Sequence, residues 1–233
     1  LVMTQKEIKL FANEKAFPAE VLDALAKDGV NLLPYDSIYE YVKTFAKDMK
    51  VLLCKQKANS RLVSNIPAEV EILDEENLTL LPKAIKNPVE VENERIAHIR
   101  DGVALTKFIY WLKKNVGKIP MTELSAEEKL YSFRAQQENF IDNSFDPIIS
   151  YGVHAAINHY SATPETDIPI EPRSFLLADT GGNYYEGTTD TTRTIVMGPV
   201  TDEQKKFFTA VLRGMLNLGN AKFRYGCTGV NLD

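Results

Sequence analysis

Asp179 and Asp190 stand eleven positions apart in FLLADTGGNYYEGTTDTTRTIVMG, residues 175–198. The run FLLA before Asp179 is apolar, TTRTIVM after Asp190 is rich in β-branched residues, and Gly181, Gly182 and Gly187 punctuate the interval. This pattern reads as strand, loop, strand. Side chains alternate along a strand, so Thr188, Asp190, Thr192 and Thr194 are expected on one face and Thr189, Thr191 and Arg193 on the other. Hydroxyls would then line one acid. Taking a carboxylate out of water without a partner is costly, and two such acids on neighbouring strands invite a cation. The plainer alternative has Asp179 capping the TGG turn and Asp190 pairing with Arg193 or facing water.

The elements around the pair follow from pattern. QKE separates LVMT from IKLFAN as a turn separates two strands, and PAEVLDALAKDG reads as a helix ended by Gly29. VNLLPY, DSIYEYVKTFAKD, KVLLCK, the short polar KANSRLVSN and VEILDE continue a β/α alternation, which suggests a sheet with helices packed on it. ENLTLLPKAIKN reads as a connection. PVEVENERIAHIRDGVALTKFIYWLKKNVG is expected to be one long helix with Pro88 in its first turn. Its apolar positions Ile96, Ile99, Val103, Phe108 and Leu112 recur at helical spacing, and Gly102 within it suggests close packing. Ser125 and Glu128 have capping-box spacing ahead of a second helix, as do Thr201 and Gln204 ahead of a third. The whole reads as α+β.

The run NSFDPIISYGVHAAINHYSATPETD, followed by FLLADTGGNYYEGTTDTTRTIVMGPVTDEQKKFFTAVLRG, closely resembles the catalytic domain of the Xaa-Pro aminopeptidases, also called aminopeptidase P. The similarity extends upstream through KAIKNPVEVENERIAHIRDGVALTKFIYWLKK and TELSAEEKLYSFRAQQENFIDNSF. Residues 81–233 resemble the first half of that pita-bread catalytic domain. Residues 1–80, most clearly KDGVNLLPYDSIYEYVKTF, resemble part of the second creatinase-type amino-terminal domain of the family's three-domain members.

The resemblance implies a two-metal site built from two Asp, one His and two Glu. Asp179 and Asp190 match the two Asp ligands, the latter bridging both metals in relatives. Thr180 and Glu186 replace the family's usual Ser and Asp without touching a ligand. His159, in AINHYSATPETD, matches the active-site His, which lies over the substrate and helps proton transfer; from the residues alone, an imidazole there is more often a core side chain than a catalyst. His154 stands where relatives usually carry Asn and receives no role, nor does His98. Arg193 is expected to brace the hairpin or an acidic ligand, or to be purely structural. The ligand His and both ligand Glu lie beyond TGVNLD, so this stretch carries two of five ligands. Leu1 in place of an initiator Met and the last residues both read as the ends of a fragment, which is expected to be inactive alone and to expose apolar faces and strand edges.

The implied chemistry is release of an amino-terminal residue from peptides with proline second. Two divalent ions roughly 3.5 Å apart can acidify a shared water and aim it at a carbonyl. Oxygen ligands and the resemblance favour Mn2+, with Co2+ or Zn2+ also fitting. A prolidase acting on Xaa-Pro dipeptides, or a non-catalytic pita-bread binding module, are the alternatives. Relatives are commonly homodimers.

Composition narrows the class. The 233 residues carry 27 Lys and Arg against 32 Asp and Glu, a net charge of −5 with no basic cluster, which argues against nucleic acid. No apolar run approaches the roughly 18 residues of a membrane span, and no leader pattern opens the chain. Cys54 and Cys227 stand alone, without metal or redox spacing, as expected of reduced thiols in a cytoplasmic enzyme.

Overall fold

Short apolar runs and well-capped helices divide the chain into two compact units, Leu1–Ile85 and Lys86–Asp233. The computed structural model describes residues 1–232. In the first unit, strands β1 (Val2–Met3) and β2 (Ile8–Phe11) pair antiparallel. Helix α1 (Ala19–Lys27) then crosses to β3 (Val30–Leu33), which lies parallel to β2. The crossover ends at Gly29, whose φ of 73° is the left-handed geometry that glycine supplies without steric cost.

DSIYEYVKTFAKD is less regular than its pattern predicts. The α-helical part, α2 (Ile38–Tyr41), is a single turn between two 3-10 turns. The polar segment KANSRLVSN instead contains a helix, α3 (Ser60–Asn65), between β4 (Lys50–Leu53) and its parallel partner β5 (Glu71–Asp74). Asn59 starts it by accepting hydrogen bonds from the Arg61 and Leu62 amides, a cap worth about 1 kcal/mol. Val42, Phe45, Ile66 and Val70 form this unit's core. The presumed connection also holds a short helix, α4 (Leu80–Ala84).

The second unit opens with α5 (Pro88–Asn115), the long helix foreseen from Pro88, closed at its start by a reciprocal Asn87–Glu90 capping box. Its buried side matches the expected one at Phe108 and Leu112 and differs toward its start. Ala97, Asp101, Ala104, Leu105, Phe108 and Leu112 face inward, whereas Ile99 and Val103 are 67% and 42% exposed. Gly102 is exposed, with nothing near its missing side chain, so it marks no close packing. The next helix, α6 (Glu123–Arg134), is capped three residues earlier than predicted: Thr122 and Ser125 form the box. This shift places Glu123 in the first helical turn.

Strands β6 (Phe140–Asn143), β7 (Ile148–Tyr151), β8 (Phe175–Thr180), β9 (Gly182–Tyr184) and β10 (Thr191–Val196) follow. They form one antiparallel sheet in the order β10-β8-β7 and a separate β6–β9 pair. Leu176 and Ala178 of β8, with Ile149, Tyr151 and Ile195, bury one face of the sheet against Phe108, Leu112 and Leu130 of α5 and α6. Helix α7 (Asp202–Gly219) begins with the predicted Thr201–Gln204 box. It docks near its start, where Phe208 stacks on Phe175 and Gln204 donates to Ser174, and it leaves Phe207, Val211 and Met215 exposed. Among the described residues, no helix is long and apolar enough to cross a membrane.

Candidate metal centre

Alternation along β8 decides where Asp179 points. Leu176, Ala178 and Thr180 are buried, so Phe175, Leu177 and Asp179 lie on the sheet's other face, away from the core. Register places Thr192 of β10 directly opposite Asp179, and the Thr192 hydroxyl donates to its Oδ1 at 2.8 Å. Asp190 immediately precedes β10 and is exposed. It stands two positions before Thr192. In extended chain the two acids are therefore diagonal neighbours on one face, about 7–8 Å apart between Cα atoms.

The hydroxyl expected beside Asp190 thus serves Asp179 instead. Thr188 donates to Asn183 at 2.8 Å. The expected Asp190–Arg193 pairing is also absent, because the Arg193 guanidinium donates to the Thr192 carbonyl at 2.8 Å. Among the described residues, neither aspartate takes part in a salt bridge, and no three His, Cys, Asp or Glu side chains gather as a metal cage. Two carboxylates side by side on an open face are the type of ligand that suits a hard divalent cation.

The return of the chain from Asp179 to Asp190 depends on tight backbone contacts. Gly181 and Gly182 fold against Thr189. The Thr189 amide donates to the Gly182 carbonyl at 2.9 Å, the Gly182 amide to the Thr189 hydroxyl at 2.9 Å, and the Ser144 hydroxyl to the Thr189 carbonyl at 2.9 Å. A Cβ at Gly181 would fall 2.0 Å from that carbonyl oxygen and 2.2 Å from Ser144 Oγ. Both neighbours are hydrogen-bonded in place, so Gly181→Ala is expected to lose about 3 kcal/mol or more, above the usual range for overpacking. Urea unfolding of the full-length protein measures this; a midpoint at the wild-type value would show that the turn yields. Farther out, Asn139 and Arg100 both bind Glu186, and the Asn139 hydrogen bond leads in holding its carboxyl below the usual range.

Beneath the loop lies a buried ionic network whose members were not read as functional from sequence. Arg134, fully buried at the end of α6, donates Nε and Nη2 to Asp101 at 2.7 and 3.3 Å, and Nη2 also reaches the Thr180 hydroxyl at 2.9 Å. The Tyr184 hydroxyl donates to Asp101 at 3.1 Å. Burial first, and the Asp101 charge second, push the Tyr184 phenol well above its ordinary value, so it remains a donor. This network ties α5 and α6 to the residue following Asp179 and to the strand between the two aspartates.

His159 lies in an exposed turn after β7, with φ of 57°. Strand β7 leaves the sheet at Tyr151, opposite Leu176, three residues along β8 from Asp179. No hydrogen bond joins His159 to either aspartate among the described residues. Just before it, His154 Nδ1 meets the fully buried Glu123 carboxylate at 3.0 and 3.1 Å. Glu123 was missed because the helix start was read too late; its place in the first turn of α6, where an acid complements the helix dipole, was the available signal.

Residues 92–233 match the model described as Metallopeptidase family M24, and residues 1–90 that of the Creatinase/Prolidase N-terminal domain. A protein named "Probable Xaa-Pro aminopeptidase P" from Ajellomyces capsulatus is 36% identical over 247 residues, covering 100% of this chain and 40% of the relative. Among solved structures, an X-prolyl aminopeptidase from Caenorhabditis elegans, described as a cytosolic enzyme with a di-nuclear active site, superposes with a TM-score of 0.89. It is 28% identical, over 99% of this chain and 39% of its own. Prolidase from Pyrococcus furiosus shares the fold at a TM-score of 0.66 and 21% identity, over 91% of this chain and 59% of its own. The chain thus spans about 40% of the length of the curated relatives it matches.

Proposed function

This chain belongs to metallopeptidase family M24, and we propose that the whole protein is an Xaa-Pro aminopeptidase, releasing the amino-terminal residue of peptides with proline second. The observation that carries the reading is the pair Asp179 and Asp190, adjacent on the open face of the β8–β10 hairpin and free of salt bridges among the described residues. These two would hold part of a two-ion centre, most suitably manganese, with cobalt or zinc as substitutes. When bound, the ions supply Lewis-acid polarisation and water of lowered pKa. In this assignment residues 1–80 are part of a creatinase-type domain and residues 81–233 part of the pita-bread catalytic domain.

The chain's own residues have distinct tasks. Thr192 donates to one Asp179 oxygen, which would fix the carboxyl plane and leave the other oxygen for a cation. The Gly181–Thr189 turn sets the spacing of the two acids. His159, solvent-accessible, would donate a hydrogen bond or proton toward the proline nitrogen as it leaves. The similar worm enzyme's description as cytosolic and di-nuclear supports a cytoplasmic setting and two metals. A homodimer completes the proposal.

The test is hydrolysis of an Xaa-Pro-Xaa tripeptide and an Xaa-Pro dipeptide by the full-length protein, first stripped of metal and then given manganese. Release of the first residue from the tripeptide, abolished by stripping and restored by manganese, is the expected result. Turnover of the dipeptide alone would make the protein a prolidase. No turnover with manganese, cobalt or zinc would favour a non-catalytic binding module.

A further inference from the structure

Glu123 is fully buried yet carries a carboxylate, and three donors from a single ten-residue stretch converge on it. The Tyr151 amide donates to Oε1 at 2.7 Å, His154 Nδ1 lies 3.0 Å from Oε2, and the Tyr160 hydroxyl donates to Oε2 at 3.0 Å. The His154 and Tyr160 rings pack together with centroids 4.4 Å apart. Between those two anchors the chain turns, with the Ile157 amide donating to the His154 carbonyl at 3.0 Å and the Tyr160 amide to the Ile157 carbonyl at 3.2 Å. His159 sits inside this turn with φ of 57°. A non-glycine residue in the left-handed region is strained and persists only where its surroundings hold it. The two anchors on Glu123 stand on either side of it.

We propose that Glu123, His154 and Tyr160 are positioning residues that hold the His159 turn from below, so that the imidazole of His159 is presented in one orientation. This rests on the role given to His159 above. Glu123 is suited to the task because it is anchored in the first turn of α6, whose Leu124 amide is in turn bound by Asp167 at 3.1 Å. His154 and Tyr160 touch the reacting groups only through the turn they hold. Pre-orientation of a proton donor acts on the chemical step more than on substrate binding, so its loss should appear in kcat.

The experiment compares full-length wild type with His154→Leu, His154→Asn and Tyr160→Phe, measuring tripeptide kinetics with manganese and amide hydrogen exchange across residues 151–166. For His154→Leu we expect kcat to fall about tenfold with KM within about twofold. Its amides at 154–160 should exchange about tenfold faster. His154→Asn keeps a donor toward Glu123 and should recover most of kcat and of the protection, and Tyr160→Phe should resemble His154→Leu. Wild-type kcat in His154→Leu, or a fall in kcat with unchanged exchange, overturns the proposal. If the wild type hydrolyses no Xaa-Pro peptide, the functional reading falls by itself. Exchange alone then decides the brace: faster exchange in His154→Leu that His154→Asn restores supports it, and unchanged protection overturns it.

Discussion

Alanine in place of Asp190 is expected to remove manganese-dependent hydrolysis by the full-length protein, lowering kcat/KM by about a thousandfold or more while leaving its melting temperature near the wild-type value. The two halves of this expectation have separate causes. Asp190 is exposed and makes no salt bridge among the described residues, so deleting its carboxylate leaves no buried partner stranded. A surface change of this kind usually stays within about 0.5 kcal/mol. For activity, the variant loses a carboxylate that in the proposed reading would hold part of the two-ion centre. A thousandfold fall corresponds to about 4 kcal/mol of transition-state stabilisation, within what a metal centre supplies. Kinetics, bound-metal analysis and thermal unfolding on the same preparation check it. Wild-type turnover in the variant would remove Asp190 from the centre; a large fall in melting temperature would recast it as structural.

Arg134→Ala is expected to have the largest effect on stability, about 3–5 kcal/mol, read from the urea midpoint. Arg134 and Asp101 are 0% and 2% exposed, and their two hydrogen bonds form an ion pair beneath the aspartate loop. Removing the guanidinium leaves the Asp101 carboxylate buried beside only the Tyr184 hydroxyl, the arrangement that makes breaking a buried pair so costly. The Thr180 hydroxyl and the Asn143 amide oxygen lose their partner as well. The double replacement Arg134→Met with Asp101→Leu removes both charges. It should lose less than the sum of the single changes, because no charge is left unpaired. Strict additivity, or a loss below about 1 kcal/mol for Arg134→Ala, would show that the pair does not anchor this region. Because Thr180 adjoins Asp179, Arg134→Ala is also expected to weaken manganese binding.

Features that depend on near neighbours were legible in the sequence. The strand–loop–strand around Asp179 and Asp190 follows from apolar and β-branched runs separated by glycines, and the two strands do pair. Helix α5 follows from Pro88, and α7 from Thr201 and Gln204, since a cap is a contact across three residues. Family membership came from the same contiguous motifs. What failed were assignments that hydrophobicity alone cannot make. Phe108 and Leu112 are buried on α5 as read, but Ile99 and Val103 are not, because the helix turns Asp101 inward in their place. The reason is Arg134, a partner 33 positions away.

The sequence by itself therefore determined the family, the order of the principal elements and the hairpin that carries the candidate pair of aspartates, because each is encoded in a short contiguous pattern. Only the tertiary structure decided which hydroxyl serves Asp179, which face of α5 is buried, and that Glu123, His154 and Tyr160 converge below His159. Those outcomes join residues 13 to 37 positions apart. A buried charge is tolerated only where folding delivers its partner, and local composition holds no record of that partner.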